Sequence, residues 1–307
     1  MRQYILVLTF LLAGVLGLRA QTVNVPAKIY YPKSPHNRLL VNKIGVLTFD
    51  DNDRVLTFKD DGHDKLQLPY DSVTGVVFEV TTHMRGFNVK SALAGGVPLV
   101  GIVAGPLVSS QHVHNYWFYV EYNKAQQKSR LLLEVPSDCS QKVIHKAKSV
   151  LGDRVTVADY PENGHQVDPD KLSDIKSKVA LRIDKHDHPA PEVKPDKAQV
   201  VVVCPSLPAG PAGRRIQFKV HANDHVVAVN KWGTYSFAYL DPGKYRLISQ
   251  AENAYGFDID LEPGKSYYFL QNTFQGVFKS QTSLTRNSPE LVTYLLDGSY
   301  YSDWKPK

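Results

Sequence analysis

The chain has only two cysteines, Cys139 and Cys204. No zinc site can be built from such a pair without further ligands. In an oxidising compartment they could pair, provided their segments approach within bridging geometry; the other reading is two separate buried thiols. Methionine is as scarce, with two residues against 17 Tyr and 12 Phe. With β-branched residues clustered in short runs, that balance favours strands. There is no strong charge of either sign: 36 basic residues stand against 30 acidic ones, evenly mixed. Nucleic acid is therefore not an expected partner. Gly95-Gly96 and Gly101 have no Lys-Ser/Thr after them, so a phosphate-cradling loop is absent. Ser, His and Asp occur in no nucleophile-elbow or oxyanion context, and no acid–base pair is set up to converge. His112 and His114 flank Val113 and share a strand face, but no third ligand stands at fixed spacing. His186 and His188, among Asp184 and Asp187, read as solvated. The expectation is a protein without enzymatic activity, cofactor or metal.

Beyond the N-terminal run Ile5–Leu18, long hydrophobic runs are also missing, with one near-exception. Ala92–Val108, ALAGGVPLVGIVAGPLV, contains only apolar residues, glycine and proline. At 17 residues it falls short of the ~20 that cross a bilayer as one helix. Pro98 and Pro106 would break such a helix, while Gly101 and Gly105 form a small-xxx-small pair. A re-entrant or interfacial hairpin fits best. It would contact a membrane surface or a hydrophobic protein partner through Leu93, Val97, Leu99, Val100, Ile102, Val103 and Leu107. A glycine-rich loop buried over a sheet and a transmembrane helix are the alternatives.

The 307 residues suffice for about two domains. Residues 1–20 have the layout of a secretory signal: Arg2, an apolar core over Ile5–Leu18, and Leu18-Arg19-Ala20 as a cleavage site, with an uncleaved anchor as the alternative. Loss of Arg2 and Arg19 would leave 34 basic against 30 acidic residues, a net +4. With no cysteine at that junction, a lipid-modified N-terminus is not expected. The expected location is exported: periplasm, cell envelope or extracellular.

The proline-bearing stretch Val23–Asn42 reads as an arm running extended over the first domain. Ile44–Phe49 and Arg54–Lys59 alternate around Asp50-Asp51-Asn52-Asp53 and read as a hairpin. Leu66–Leu68, Gly75–Thr81, Tyr116–Tyr122 and Arg130–Val135 read as further strands, the last two turning through Asn123–Lys128. Asp138 with Gln141 has the form of a capping box. It starts a helix whose apolar face is Val143, Ile144, Ala147, Val150 and Leu151 and which Gly152 stops. Lys142, Lys146 and Lys148 read as its solvated face.

Residues 158–197 read as a linker. A short helix would begin at Asp168-Pro169, and His186–Lys197, with three prolines among charges, would be extended. From Ala198 a second, antiparallel unit is expected. Val200–Cys204 is apolar throughout, as in a strand buried on both faces. Ile216–His221 and Val226–Asn230 form a hairpin, and Thr234–Leu240 is an aromatic strand. Leu240-Asp241-Pro242-Gly243-Lys244-Tyr245 is echoed by Leu261-Glu262-Pro263-Gly264-Lys265-Ser266-Tyr267. Each Pro-Gly suits a type II turn, and repeated turns of this kind indicate a sandwich. Ser288-Pro289-Glu290 starts a short helix that ends at Gly298. Trp232, Tyr235 and Tyr239 are candidate ligand-stacking aromatics, with core packing as the competing role.

Two resemblances follow from these stretches. GVLTFDDNDRVLTF, LPYDSVTGVVFEV, NYWFYVEY and the Asp138–Gly152 helix, over residues 38–157, resemble a pleckstrin-homology or GRAM-like domain of bacterial envelope proteins, with a glycine-rich apolar insertion at 92–108. This implies a bent antiparallel sheet plugged by its C-terminal helix. The acidic first hairpin departs from the basic one that reads phosphoinositides, so that ligand does not carry over. VVVVCPS, VVAVNKWGTYSFAYLDPGKYRL and LEPGKSYYFLQN, over residues 198–302, resemble a bacterial domain-of-unknown-function family of envelope proteins and lipoproteins. That family is similar in look to PEGA and transthyretin-like sandwiches and implies no reaction. The expectation as a whole is a mainly-β, exported interaction module. The alternative is a soluble extracellular sugar- or peptide-binding protein using the second unit's aromatics.

Overall fold

The computed structural model describes residues 22–32, 40–60, 65–85, 111–160, 164–168, 179–186, 188–205, 216–251, 253–275 and 280–306. Within them the fold is mainly β, with three sheets and two helices. The putting together of the first sheet begins with β1 (Val23–Pro32), β2 (Leu40–Asp50), β3 (Val55–Asp60) and β4 (Lys65–Pro69), each antiparallel to the next. A single 3-10 turn, Tyr70–Ser72, leads into β5 (Val73–Arg85), β6 (Gln111–Lys124) and β7 (Gln127–Val135). Helix α1 (Ser137–Leu151) and β8 (Val155–Ala158) follow. The order is β4-β3-β2-β1-β7-β6-β5-β8, with β8 parallel to β5. Leu56 and Phe58 of β3 share one core with Val76 and Phe78 of β5, five strands away in that order. The sheet therefore curls over itself, and α1 contributes Val143, Ile144, Ala147 and Leu151 to the enclosed core.

Three features of this half differ from expectation. The Val23–Pro32 segment is no covering arm. It lies between β2 and β7, with Val23, Val25, Ala27 and Ile29 buried and the alternate residues turned outward. Pro26 lies beyond the part of β1 that pairs with β7, which meets only Lys28–Tyr30, so the strand has an edge there, where proline is tolerated. The helix begins at Ser137 directly after Pro136, which takes the cap position with no side-chain capping bond, so the box expected at Asp138 and Gln141 does not form. The stop does: Gly152 has φ +60, and its amide returns to the carbonyl of Lys148. Lys146 is not solvated like Lys142 and Lys148. Its side chain is 9% exposed, with Nζ 2.5 Å from Asp51 in the β2–β3 turn.

The rest forms a sandwich. One sheet contains β10 (Val179–Asp184), β11 (Ala198–Cys204), β14 (Thr234–Leu240), β17 (Ser266–Gln275), β18 (Ser280–Asn287) and β19 (Tyr300–Pro306), in the order β10-β19-β14-β11-β17-β18. The other contains β9 (His165–Val167), β12 (Phe218–Ala222), β13 (His225–Asn230), β15 (Gly243–Gln250) and β16 (Ala254–Leu261), in the order β13-β12-β15-β16-β9. The first of these is mixed, since β11 runs parallel to β17 and β14 to β19. Both Pro-Gly turns carry the chain between sheets and close no hairpin: Pro242-Gly243 takes β14 to β15, and Pro263-Gly264 takes β16 to β17. The stretch read as a linker supplies two edge strands, β9 and β10.

Every residue of β11 is buried, because both faces of its sheet are covered. Val200 and Val202 enter the sandwich core with Phe257 and Phe269, whereas Val201 and Val203 turn the other way. There they meet helix α2 (Pro289–Asp297) and the outer face of the first sheet. Tyr30, Trp117, Tyr119 and Leu132 from that face join Leu291, Val292, Tyr294 and Leu295 of α2 in one apolar cluster. The Tyr294 hydroxyl donates to the carbonyl of Tyr30 at 2.6 Å, and Arg130 pairs with Asp297. Ser288 caps α2 by accepting from the amide of Leu291, with Pro289 in the first turn, as its sequence requires. The two β bodies are thus joined by a hydrophobic seam with α2 wedged into it.

Cys139 and Cys204 are both free thiols, which corrects the possible disulfide. Cys139 packs at the start of α1 against the first core, and Cys204 is buried in β11 of the sandwich. Burial raises both thiols above the ordinary range, so neither is an activated nucleophile.

Candidate functional site

The apolar stretch Ala92–Val108, with Leu93, Val97, Leu99, Val100, Ile102, Val103 and Leu107, lies outside the described residues, as do residues 1–20. What the structure describes is its root. The β5–β6 ladder runs from Val73↔Tyr122 to Arg85↔Gln111, with one bulge near Gly75. β7 leaves β6 at Tyr116↔Val135, and β8 leaves β5 at Glu79↔Ala158. Past those points Thr81–Arg85 and Gln111–Asn115 pair only with each other among the described residues. The sheet thus narrows to a two-stranded ribbon that carries the chain roughly 15 Å before residue 86, at ~3.3 Å per residue.

The base of this ribbon is fixed. Thr81 is buried and accepts from the indole of Trp117 at 3.0 Å. On the core side of the same end, Val80 is 41% and Val157 43% exposed, beside the half-buried Tyr116 and the exposed His114. The inner face of the sheet therefore turns apolar side chains to solvent where the insertion departs, although single exposed valines are common on any surface. The side chain of His112 lies outside the described residues. Among those described, no group of three or more His, Cys, Asp or Glu could hold a metal ion.

Next to the root stands a buried carboxylate. Glu79 of β5 is 1% exposed. Its Oε1 accepts from Asn287 Nδ2 at 2.7 Å and from the amide of Ser288 at 3.1 Å, and its Oε2 accepts from Ser288 Oγ at 2.6 Å. Ser288 Oγ is also the cap of α2, so one hydroxyl joins the first body to the helix of the second. Burial pushes the carboxyl up to about 7, against the pull of those donors and with a small push from Glu290. A value so close to neutrality often marks a functional group. This one is enclosed among the described residues. The sequence offered one signal for it, a lone acid in the apolar run VVFEV.

Two of the aromatics considered for ligand stacking, Tyr235 and Tyr239, are engaged with their own chain. Tyr235 is fully buried, donates to the carbonyl of Pro189 at 3.0 Å and stacks on His188. Tyr239 donates to the carbonyl of Glu192 at 2.7 Å, and Lys194 sits over its ring. Trp232 is half-buried at the β13–β14 turn. Residues 188–196 thus lie along the aromatic strand where a ligand would stack.

A cleft of about 800 Å³ opens on the outer end of β15 and β16, among Asn223, Asp224, Lys244, Arg246, Asp258 and Asp260. One pair of its charges is matched internally. Arg246 grips Asp258 through Nε at 2.8 Å and holds its carboxyl below the usual range. Lys244 stands opposite Asp260 in the β15–β16 register. No helix among the described residues is long and apolar enough to cross a membrane. No protein-family model matches the chain, and no curated protein matches it either.

Proposed function

We propose that this protein is an exported, non-enzymatic interaction module of the cell envelope, whose apolar 92–108 segment contacts a membrane surface or a hydrophobic protein partner. The observation that carries this reading is the ribbon. A loop meant only to close β5 and β6 would turn where β7 and β8 end. The two strands instead continue past their neighbours and lead toward the apolar 92–108 stretch that connects them. Exposing such a stretch to water is unfavourable unless something apolar covers it. The root is braced through Thr81, Trp117 and Glu79 against the second body, as a rigid support for a contacting element would be. The resemblance of the two halves to envelope-protein domains agrees with this reading.

The test is deletion of residues 94–106, which spares the ribbon, followed by fractionation of the producing cells and flotation with vesicles of envelope lipids. The full chain is expected in the membrane fraction and the deletion variant in the soluble one. Unchanged partitioning of the deletion variant would overturn the reading.

A further inference from the structure

We propose that Glu79 is a protonation-dependent tie between the two β bodies, holding them more tightly as the neutral acid than as the carboxylate, so that the junction loosens as the medium turns from mildly acidic to alkaline. Glu79 projects from β5 of the first body, and among the described residues the hydrogen-bond partners of its carboxylate, Asn287 and Ser288, belong to the second. No cation pairs with it among the described residues. A buried carboxylate without a counter-ion keeps its charge only at a cost that neutral donors offset in part.

The charged neighbours on the surrounding elements do not supply what is missing. On α2 the nearest in sequence is Glu290, which opposes the anion. On β18 Arg286 lies over the rings of Tyr160 and Tyr267. On β6 the register partner is the neutral Trp117, and on β8 it is Ala158, followed by another acid, Asp159.

Both protonation states can be accommodated. In the carboxylate, Asn287 Nδ2, Ser288 N and Ser288 Oγ all donate, and Ser288 Oγ still accepts from Leu291. In the acid, the 2.6 Å contact survives with its proton reversed: Oε2–H donates to Ser288 Oγ while Oε1 keeps the other two donors. The difference lies in the charge, which an opened junction would return to water. Once opened, the carboxyl falls to its ordinary value near 4.5; closed, it lies at about 7. The closed state therefore binds the proton more tightly. Closure is at full strength below about 4.5 and weakens as the pH rises through about 7.

The experiment is hydrogen–deuterium exchange of the full chain at about pH 5.5 and about pH 8.5, corrected for intrinsic exchange, and read on peptides from α2 and from β5. Opening should become more frequent at the higher pH by about 30-fold. Glu79→Gln mimics the acid and should abolish that increase. Equal opening at both pH values in the wild type, or the same increase in Glu79→Gln, would overturn the proposal. Should Glu79→Gln not fold, the infrared band of a buried protonated carboxyl, followed through a pH titration, supplies the second measurement. The wild-type band should vanish near neutrality, and in Ser288→Ala, which loses a donor to the anion, at higher pH. No such band at about pH 5.5, or an unmoved midpoint in Ser288→Ala, would equally overturn it.

Discussion

Leu295→Ala tests whether the two β bodies stand or fall together. Leu295 is 2% exposed on α2, in the cluster that also holds Tyr119 and Leu132 of the first sheet and Val201 and Val203 of the second. Large-to-small changes at such sites cost about 2–5 kcal/mol, being the lost transfer energy plus the cavity left behind. A position hemmed in by two sheets has little freedom to collapse, so the upper half of that range, about 3–5 kcal/mol, is expected. Domains of this kind are stable by only about 5–15 kcal/mol, so the loss is a large share of the total. The assay is urea unfolding read by far-UV circular dichroism and by the fluorescence of single-tryptophan versions of the chain. One version keeps Trp117, in the seam, and the other Trp304, on β19. Both probes should report one shared transition, displaced to lower urea by Leu295→Ala. Phe118→Ala, which opens the first core alone, should displace it for both probes too. Two separate transitions, with the Trp304 one unmoved by Phe118→Ala, would refute the shared seam.

The β6–β7 turn places Ala125 and Gln126 at φ 49 and 64, a left-handed pair of the kind usually given to Asn-Gly. Replacing them together by Asn and Gly should raise stability by about 1 kcal/mol, read as a higher urea midpoint; no gain would contradict the turn geometry. Lys146→Met breaks the ion pair with Asp51, a residue that also accepts from the Tyr70 hydroxyl. It should cost about 1–3 kcal/mol, against within about 0.5 kcal/mol for the exposed Lys142→Ala; equal effects in the two variants would argue against the pair. Alkylation in denaturant without reductant should modify both Cys139 and Cys204, whereas in the native protein Cys204 should stay protected. A chain that resists alkylation until reduced would contradict the free thiols.

Local patterns reveal most strands but little of how they assemble. Alternation marks β2, β3, β6 and β7, and unbroken burial marks β11, because the side-chain period is visible within a few residues. The hairpin turns at Asp50–Asp53 and Asn223-Asp224 and the glycine stops at Gly152 and Gly298 are also local chemistry. What escapes such reading depends on distant partners. β9 and β10 look like linker because the strands they pair with, β16 and β19, come about ninety and more than a hundred residues later. The parallel pairs β11–β17 and β14–β19 are invisible for the same reason. The prolines of β1 suggest a loose arm only until its lack of a second neighbour at Pro26 is known. At the candidate site, the apolar insertion is plain in the sequence. The ribbon beneath it and the partners of Glu79, more than two hundred residues away, are not.

The central claim is that the 92–108 segment meets an apolar environment outside its own fold. A single cysteine in place of Val100, in a chain whose Cys139 is serine, can carry an environment-sensitive fluorophore in the full-length protein. Addition of vesicles of envelope lipids, or of detergent-solubilised envelope proteins, should shift the emission to the blue and shield the label from an aqueous quencher. Emission that is already blue and shielded in buffer, and unchanged by either addition, would mean the segment packs against its own protein and would contradict the account.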